Sequence, residues 1–352
     1  MGALHGRTTT NGITPMKHLL TATAMTLCLA GAASAQTVLT VANWLPPSHP
    51  LVSELIVPMT ESHPEPPSGP APPTSEPAPL GPPPAHFDFA VNGVADITFG
   101  VQGYNPGRFK TTNIVELPFL GETAEAISVA YWRVFDDMLR DAGEYDQVKV
   151  LAVFSHGPGE IFLKDGDAGG PDVLDGVKIR VGGGIVHEVA SALGAVPVEG
   201  PSSKAYELLS QGVADGIFFP YESVDFFKLI PQLDQAIAVP GGLYNTSFYI
   251  VMNKAKWDSL TPQQQDAIDS VTGEALARSA GRMWDAADAR GRAAMDGKIA
   301  INPATSAQMD AWEKALSPLV QAKLDEAAEA GIDAQAAHDM LRAEIERETA
   351  GQ

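Results

Sequence analysis

Val177-Lys178-Ile179-Arg180-Val181-Gly182-Gly183-Gly184 reads as a strand that stops at three glycines. Val177, Ile179 and Val181 fall on one face by the two-residue period of an extended chain, and Lys178 and Arg180 fall on the other. The glycines let another group approach the backbone closely. A helix-compatible segment, Ile185 to Leu193, follows, and Ala214-Asp215-Gly216-Ile217-Phe218-Phe219-Pro220 then starts a new strand. Strand, glycines, helix and strand in that order describe an α/β unit.

The same alternation extends in both directions. Strand-like runs at Thr37–Ala42, Ala95–Phe99, Val148–Phe154, Val177–Val181, Ile217–Phe219 and Phe248–Met252 are separated by helical patterns, which predicts α/β lobes with largely parallel sheets. The length exceeds what one core usually serves, so two lobes are expected. From Thr261 to about Met295 the spacing is helix-compatible with no proline after Pro262. Thr261-Pro262 supplies an N-cap with proline in the first turn, and such a helix is long enough to cross both lobes. Further helices are predicted over Ser306–Ala330 and Asp333–Glu348.

Four stretches in order resemble the substrate-binding proteins of tripartite ATP-independent periplasmic (TRAP) transporters, the dicarboxylate-binding-protein-like family. Asn92-Gly93-Val94-Ala95-Asp96-Ile97 is similar to the N-G-x-A-D-I strand of that family, and Lys178-Ile179-Arg180-Val181 to its K-x-R-V strand. Leu208 to Gly216 is similar to its L-x-x-G-x-x-D-G signature. Met252-Asn253-Lys254 with Trp257 and Leu260 is similar to its M-N-K-x-x-W-x-x-L segment. The resemblance covers about Thr37 to Ala330. It implies a two-lobed periplasmic binding protein with a long helix spanning both lobes. Lobe I would take 36–155 with about 247–285, and lobe II 156–246 with about 286–330; 331–352 would be a C-terminal helix.

The resemblance also implies that Arg180 pairs with the carboxylate of a bound organic acid. Arginine suits that task because its planar fork makes two parallel charge-assisted hydrogen bonds. His156 sits where the family crosses between lobes, and Gly159-Glu160-Ile161 stands where many members carry a second arginine. Phe218-Phe219-Pro220-Tyr221-Glu222 replaces the Q-E-N-P stretch of sugar-acid binders, so Phe219 and Tyr221 facing the cleft would give an apolar pocket. Trp44, Tyr104, Tyr244 and Asn245 occupy other family positions near the ligand. Core packing is the alternative for each of these aromatics. The expected ligand is a monocarboxylate, aromatic or a short 2-oxo acid, and the expected partner is a TRAP permease.

Met16-Lys17-His18 and the apolar run Leu19 to Ala32, followed by Ala33-Ser34-Ala35, predict a signal peptide, a mature start at Gln36 and a periplasmic location. The run is too short to span a bilayer. The only cysteine, Cys28, falls inside it. Losing Arg7 and Lys17 with the leader moves the net charge from −20 to −22, which argues against nucleic acid and anionic membrane surfaces as partners. Positive potential for an anion must then be local, at Arg180 with Lys178 nearby.

No enzyme motif is complete. His187-Glu188-Val189-Ala190-Ser191 lacks the second histidine of a zinc-protease helix, and neither a phosphate loop nor a G-x-S-x-G elbow occurs. No cofactor or metal is expected. The same fold could serve a chemoreceptor or another transporter.

One stretch departs from the family pattern. Eleven of the 25 residues from Glu61 to Ala85 are proline, a density that sustains neither helix nor inner strand. It is expected to be extended and poorly ordered, to remove an outer strand and part of the first helix, and so to threaten function.

Overall fold

The computed structural model describes residues 38–61, 75–165 and 169–351. The expected signal peptide and cleavage site lie outside the described residues. Among the described residues eleven strands form two sheets. The first is ordered β2 (Ser75–Pro79), β1 (Leu39–Asn43), β3 (Ile97–Val101), β10 (Ser247–Asn253), β4 (Val148–Ser155). The second runs β11 (Ala300–Pro303), β9 (Gln235–Ala238), β5 (Glu160–Leu163), β8 (Gly216–Phe219), β6 (Lys178–Val181), β7 (Val196–Glu199).

All six expected strands are present, but the sheets are mixed rather than largely parallel. In the first sheet β10 is antiparallel to both β3 and β4, and in the second β5 is antiparallel to both β8 and β9. Both strands directly follow a crossing of the chain from one sheet to the other: β4 leads into β5, and β9 into β10. A strand that enters a new sheet from its partner lobe arrives from the cleft side. It therefore runs against strands that end there.

The helix expected as one piece from Thr261 to Met295 is two. Pro262–Asp269 begins with the expected cap, where Thr261 and Gln264 bond reciprocally as a capping box. Gly273, with φ +68°, then breaks the run, and its N–H donates to the Leu151 carbonyl at 2.7 Å. The helix Glu274–Ala294 follows. At Gly281 it lies against the backbone of Ala124 and Glu125, and at Gly291 against that of Tyr221 and Glu222. One helix thus touches elements above both sheets.

The proline-rich stretch is not wholly structureless. Ser75–Pro79 supplies the outer strand that was expected to be lost, in parallel register from Leu39–Ser75 to Asn43–Pro79. Proline is tolerated there because an edge strand has one row of backbone groups with no ladder partner. The first helix runs as far as Glu61, through Leu51–Ile56 and Val57–Glu61, and the part expected to be lost lies outside the described residues. Residues 62–74 lie outside the described residues.

Candidate ligand-binding site

Apart from β5 and β10, the strands at the centre of each sheet point their carboxyl ends at a common space between the sheets. Trp44 follows β1, Gly103 and Tyr104 follow β3, and His156 follows β4; Gly182 and Gly183 follow β6, and Phe219 ends β8. All line one cavity of about 50 Å³. The crevice beyond the carboxyl ends of strands is where open α/β sheets bind ligands. This space is small beside the roughly 300–1,000 Å³ usual for ligand pockets, so the lobes stand together and a ligand must part them to enter.

Contacts across the cleft maintain that arrangement. The backbone of Gly103 meets that of Gly183 so closely that a Cβ on either would lie 3.1–3.2 Å from a carbonyl oxygen. Gly183 has φ +95°, which disfavours any side chain. The glycines after β6 admit a neighbouring backbone, as their sequence suggested. Tyr104 Oη accepts the Ser202 N–H at 2.9 Å.

Arg180 is 2 % exposed. Its Nε and Nη2 both donate to the Gly200 carbonyl, at 3.0 and 2.6 Å. Its guanidinium lies 4.5 Å from the centre of the Phe219 ring. Among the described residues no carboxylate pairs with it. Burial pulls its pKa down, while the Tyr104 and Tyr244 hydroxyls oppose that shift. Desolvating such an ion costs several kcal/mol, and one carbonyl plus one aromatic face, worth about 2 kcal/mol each, offset only part of it. A ligand carboxylate would supply the missing counter-charge.

The rest of the wall is uncharged or acidic. His156 is buried, its Nδ1 is bonded to the Gly157 carbonyl, and burial lowers its pKa to about 4. His49 is lowered to about 3 by burial. Glu116 is pushed up to about 7 by burial, although its Oε1 accepts both the N–H and the hydroxyl of Ser247, at 2.9 and 2.5 Å. Among the described residues Arg180 is the only arginine or lysine lining the cavity.

Of the eight residues expected at the site, six line this cavity: Trp44, Tyr104, His156, Arg180, Phe219 and Tyr244. Tyr221 does not. It follows Pro220 at the start of the helix Tyr221–Phe226 and turns away, so its hydroxyl accepts from Arg292 at 3.2 Å and its ring packs on Phe162. Asn245 is 1 % exposed with neither amide atom bonded, and it does not line the cavity. Lys178 is exposed at the far end of its strand and adds nothing to the wall. Glu160, in the Gly159-Glu160-Ile161 stretch expected to replace a second arginine, accepts the Val239 N–H and faces away from the cavity.

Sequence reading missed His49, Glu116, Ser223, Phe227, Phe248 and Trp284. None lies in a motif, and only packing brings Trp284 from a helix to the cleft. No helix among the described residues is long and apolar enough to cross a membrane. No group of carboxylates, histidines and cysteines among them could hold a metal ion.

Comparison with known proteins agrees with this geometry. The model of the bacterial extracellular solute-binding protein family 7 matches residues 76–327. A TRAP periplasmic solute-binding protein from Bordetella bronchiseptica, solved with bound (R)- and (S)-mandelate, is 38% identical. It covers 88% of this chain and 99% of its own, with TM-score 0.84. A marine-metagenome TRAP protein specific for aromatic acids, solved with 3-hydroxybenzoate, is 31% identical over 89% of this chain and 98% of its own, with TM-score 0.81. The outer membrane transporter protein TsaT of Comamonas testosteroni is 29% identical over 85% of this chain and 89% of its own. The chain belongs to the bacterial extracellular solute-binding protein family 7 and is a periplasmic TRAP solute-binding protein.

Proposed function

We propose that this protein captures a monocarboxylate with an aromatic body and presents it, chemically unchanged, to a TRAP permease. The observation that carries the reading is Arg180, a buried guanidinium without a carboxylate partner among the described residues, set in a wall of aromatic rings. One fixed cation matches one carboxylate. A second carboxylate would find no arginine or lysine in the wall and would meet Glu116 instead. Trp44, Phe219, Phe227, Phe248 and Trp284 favour an apolar ligand body over a polyhydroxylated one. Mandelate and 3-hydroxybenzoate in the two similar structures fit that description.

The mechanism is capture by closure. With the lobes apart, the Arg180 fork accepts the carboxylate. Closing then brings Tyr104 to Ser202 and Gly103 to Gly183, and buries the charge pair. The ligand drives closure only by its additional contacts in the closed state.

Calorimetric titration with mandelate, benzoate, pyruvate, succinate and glucuronate tests the reading. Tight binding of mandelate or benzoate, with succinate and glucuronate weak, is expected. Preference for succinate, glucuronate or pyruvate overturns it. Recovery of the bound acid unaltered after long incubation tests the absence of turnover.

A further inference from the structure

Contacts between rings trace the cavity wall as a closed loop. From Arg180 one side runs through Phe219 and Phe227 to His49, with ring centres 5.9 Å and then 6.2 Å apart. On the other side the Arg180 charge acts on the Tyr244 hydroxyl, and the rings run from Tyr244 through His156 to Trp284, with spacings of 5.7 and 6.2 Å. His49 and Trp284 meet at 5.8 Å and close the loop. Along this loop they form the pole opposite the guanidinium.

Polar atoms at that pole do not satisfy one another. Trp284 is 2 % exposed, and its indole N–H has no acceptor. Glu222 is 3 % exposed; its Oε2 accepts from the Ser223 hydroxyl at 2.8 Å, but its Oε1 has no hydrogen bond. His49 Nδ1 accepts the Leu51 N–H at 3.1 Å, which leaves the ring proton on Nε2. Nε2 lies 3.5 Å from Glu222 Oε1, too far for a strong bond. Buried donors and acceptors without partners are costly, and here they gather at His49 and Trp284 in the cavity wall, with Glu222 behind His49 and not itself part of the lining. A hydroxyl group is the small substituent that both accepts from an N–H and donates to a carboxyl oxygen.

We propose that His49 and Trp284, with Glu222 held behind His49, form a distal subsite that recognises a hydroxyl on the ligand at the end remote from its carboxylate. The inference rests on the aromatic-monocarboxylate reading. The three residues come from different parts of the fold: the segment after β1, the helix after β8, and the helix spanning both lobes. The subsite is therefore complete only when the lobes meet, and a hydroxylated acid gains from closure what the unsubstituted acid does not.

The test is calorimetric titration of the mature protein with benzoate, 3-hydroxybenzoate and 4-hydroxybenzoate, repeated on Trp284→Phe and Glu222→Met. In the wild type at least one hydroxylated acid should bind about fivefold or more tightly than benzoate. In each variant that ratio should fall to about twofold or less. Because both affinities come from one preparation, general damage to the fold cancels from the ratio. Benzoate binding with no hydroxyl preference overturns the subsite alone, as does a preference that survives both substitutions. Binding of none of the three acids overturns the aromatic-acid reading and the subsite with it.

Discussion

Two groups of arginines in this molecule live by opposite rules. Arg133 and Arg278 sit on the face where the C-terminal helix Ala334–Ala350 packs on the helices Ala124–Val134 and Glu274–Ala294. Arg133 bonds Glu274, Glu344 and Glu348, and Arg278 bonds Glu125, Glu274 and Glu348, at 2.6–3.1 Å. These pairs hold the carboxyls of Glu274 and Glu348 below their usual range. Arg180 is more deeply buried and has only a carbonyl, an aromatic face and nearby hydroxyls. A cation supplied with its own anions is part of the architecture. A buried cation whose counter-charge must come from outside is a binding site, and it is retained at a cost to the empty protein.

The sharpest way to break this comparison is to remove each kind of arginine. Arg180→Ala should cost about 2–5 kcal/mol of affinity for the carboxylate ligand, and Arg180→Lys should also weaken binding because a point charge cannot replace the fork. The melting temperature of the unliganded Arg180→Ala protein should hold or rise, since a desolvated charge has gone. Full affinity in Arg180→Ala would remove the central claim. Arg133→Met should do the reverse, lowering stability by about 1–2 kcal/mol with binding intact, because it leaves buried Glu344 with Arg347 alone and Glu274 and Glu348 with Arg278 alone. Depressed carboxyls contribute stability above their unfolded pKa and lose it as pH falls, so the gap between Arg133→Met and wild type should narrow in acid.

Glu116 sharpens the contrast from the acidic side. Its pKa is raised to about 7, so its stabilising effect is full below about 4.5 and is lost as pH rises toward 7. Glu116→Gln keeps the acceptor for Ser247 and cannot ionise. Relative to wild type it should gain about 1–2 kcal/mol of stability between pH 4.5 and 7; equal thermal shifts at both pH values would refute this. The smallest effect is expected at Tyr221. Tyr221→Phe should change ligand affinity by less than about 0.5 kcal/mol, because the hydroxyl meets Arg292 outside the cavity. A tenfold loss would restore Tyr221 to the site.

Much was legible from the chain alone. Alternation marked six strands, and the Thr261, Thr305 and Asp333 caps occur at helix starts that composition suggested. Arg180 was identifiable because strand period, glycines and family motif coincide within eight residues. Local chemistry fixes such features: capping, backbone freedom and the two-residue period act over a few residues. Tyr221 shows where that reach ends. Its neighbour Phe219 is the last residue of a strand and faces the cavity, but Pro220 starts a helix and the two-residue alternation ceases to apply.

Tertiary structure alone decided what depends on distant segments meeting. The antiparallel strands β5 and β10 follow from crossings between lobes, and the outer strand Ser75–Pro79 from an edge that tolerates proline. The unpaired state of Arg180, the elevated pKa of Glu116 and the pole formed by His49, Glu222 and Trp284 belong to the same class. Charge in a sequence can be counted, but whether a charge finds its partner depends on which groups the fold places beside it and how much water it excludes.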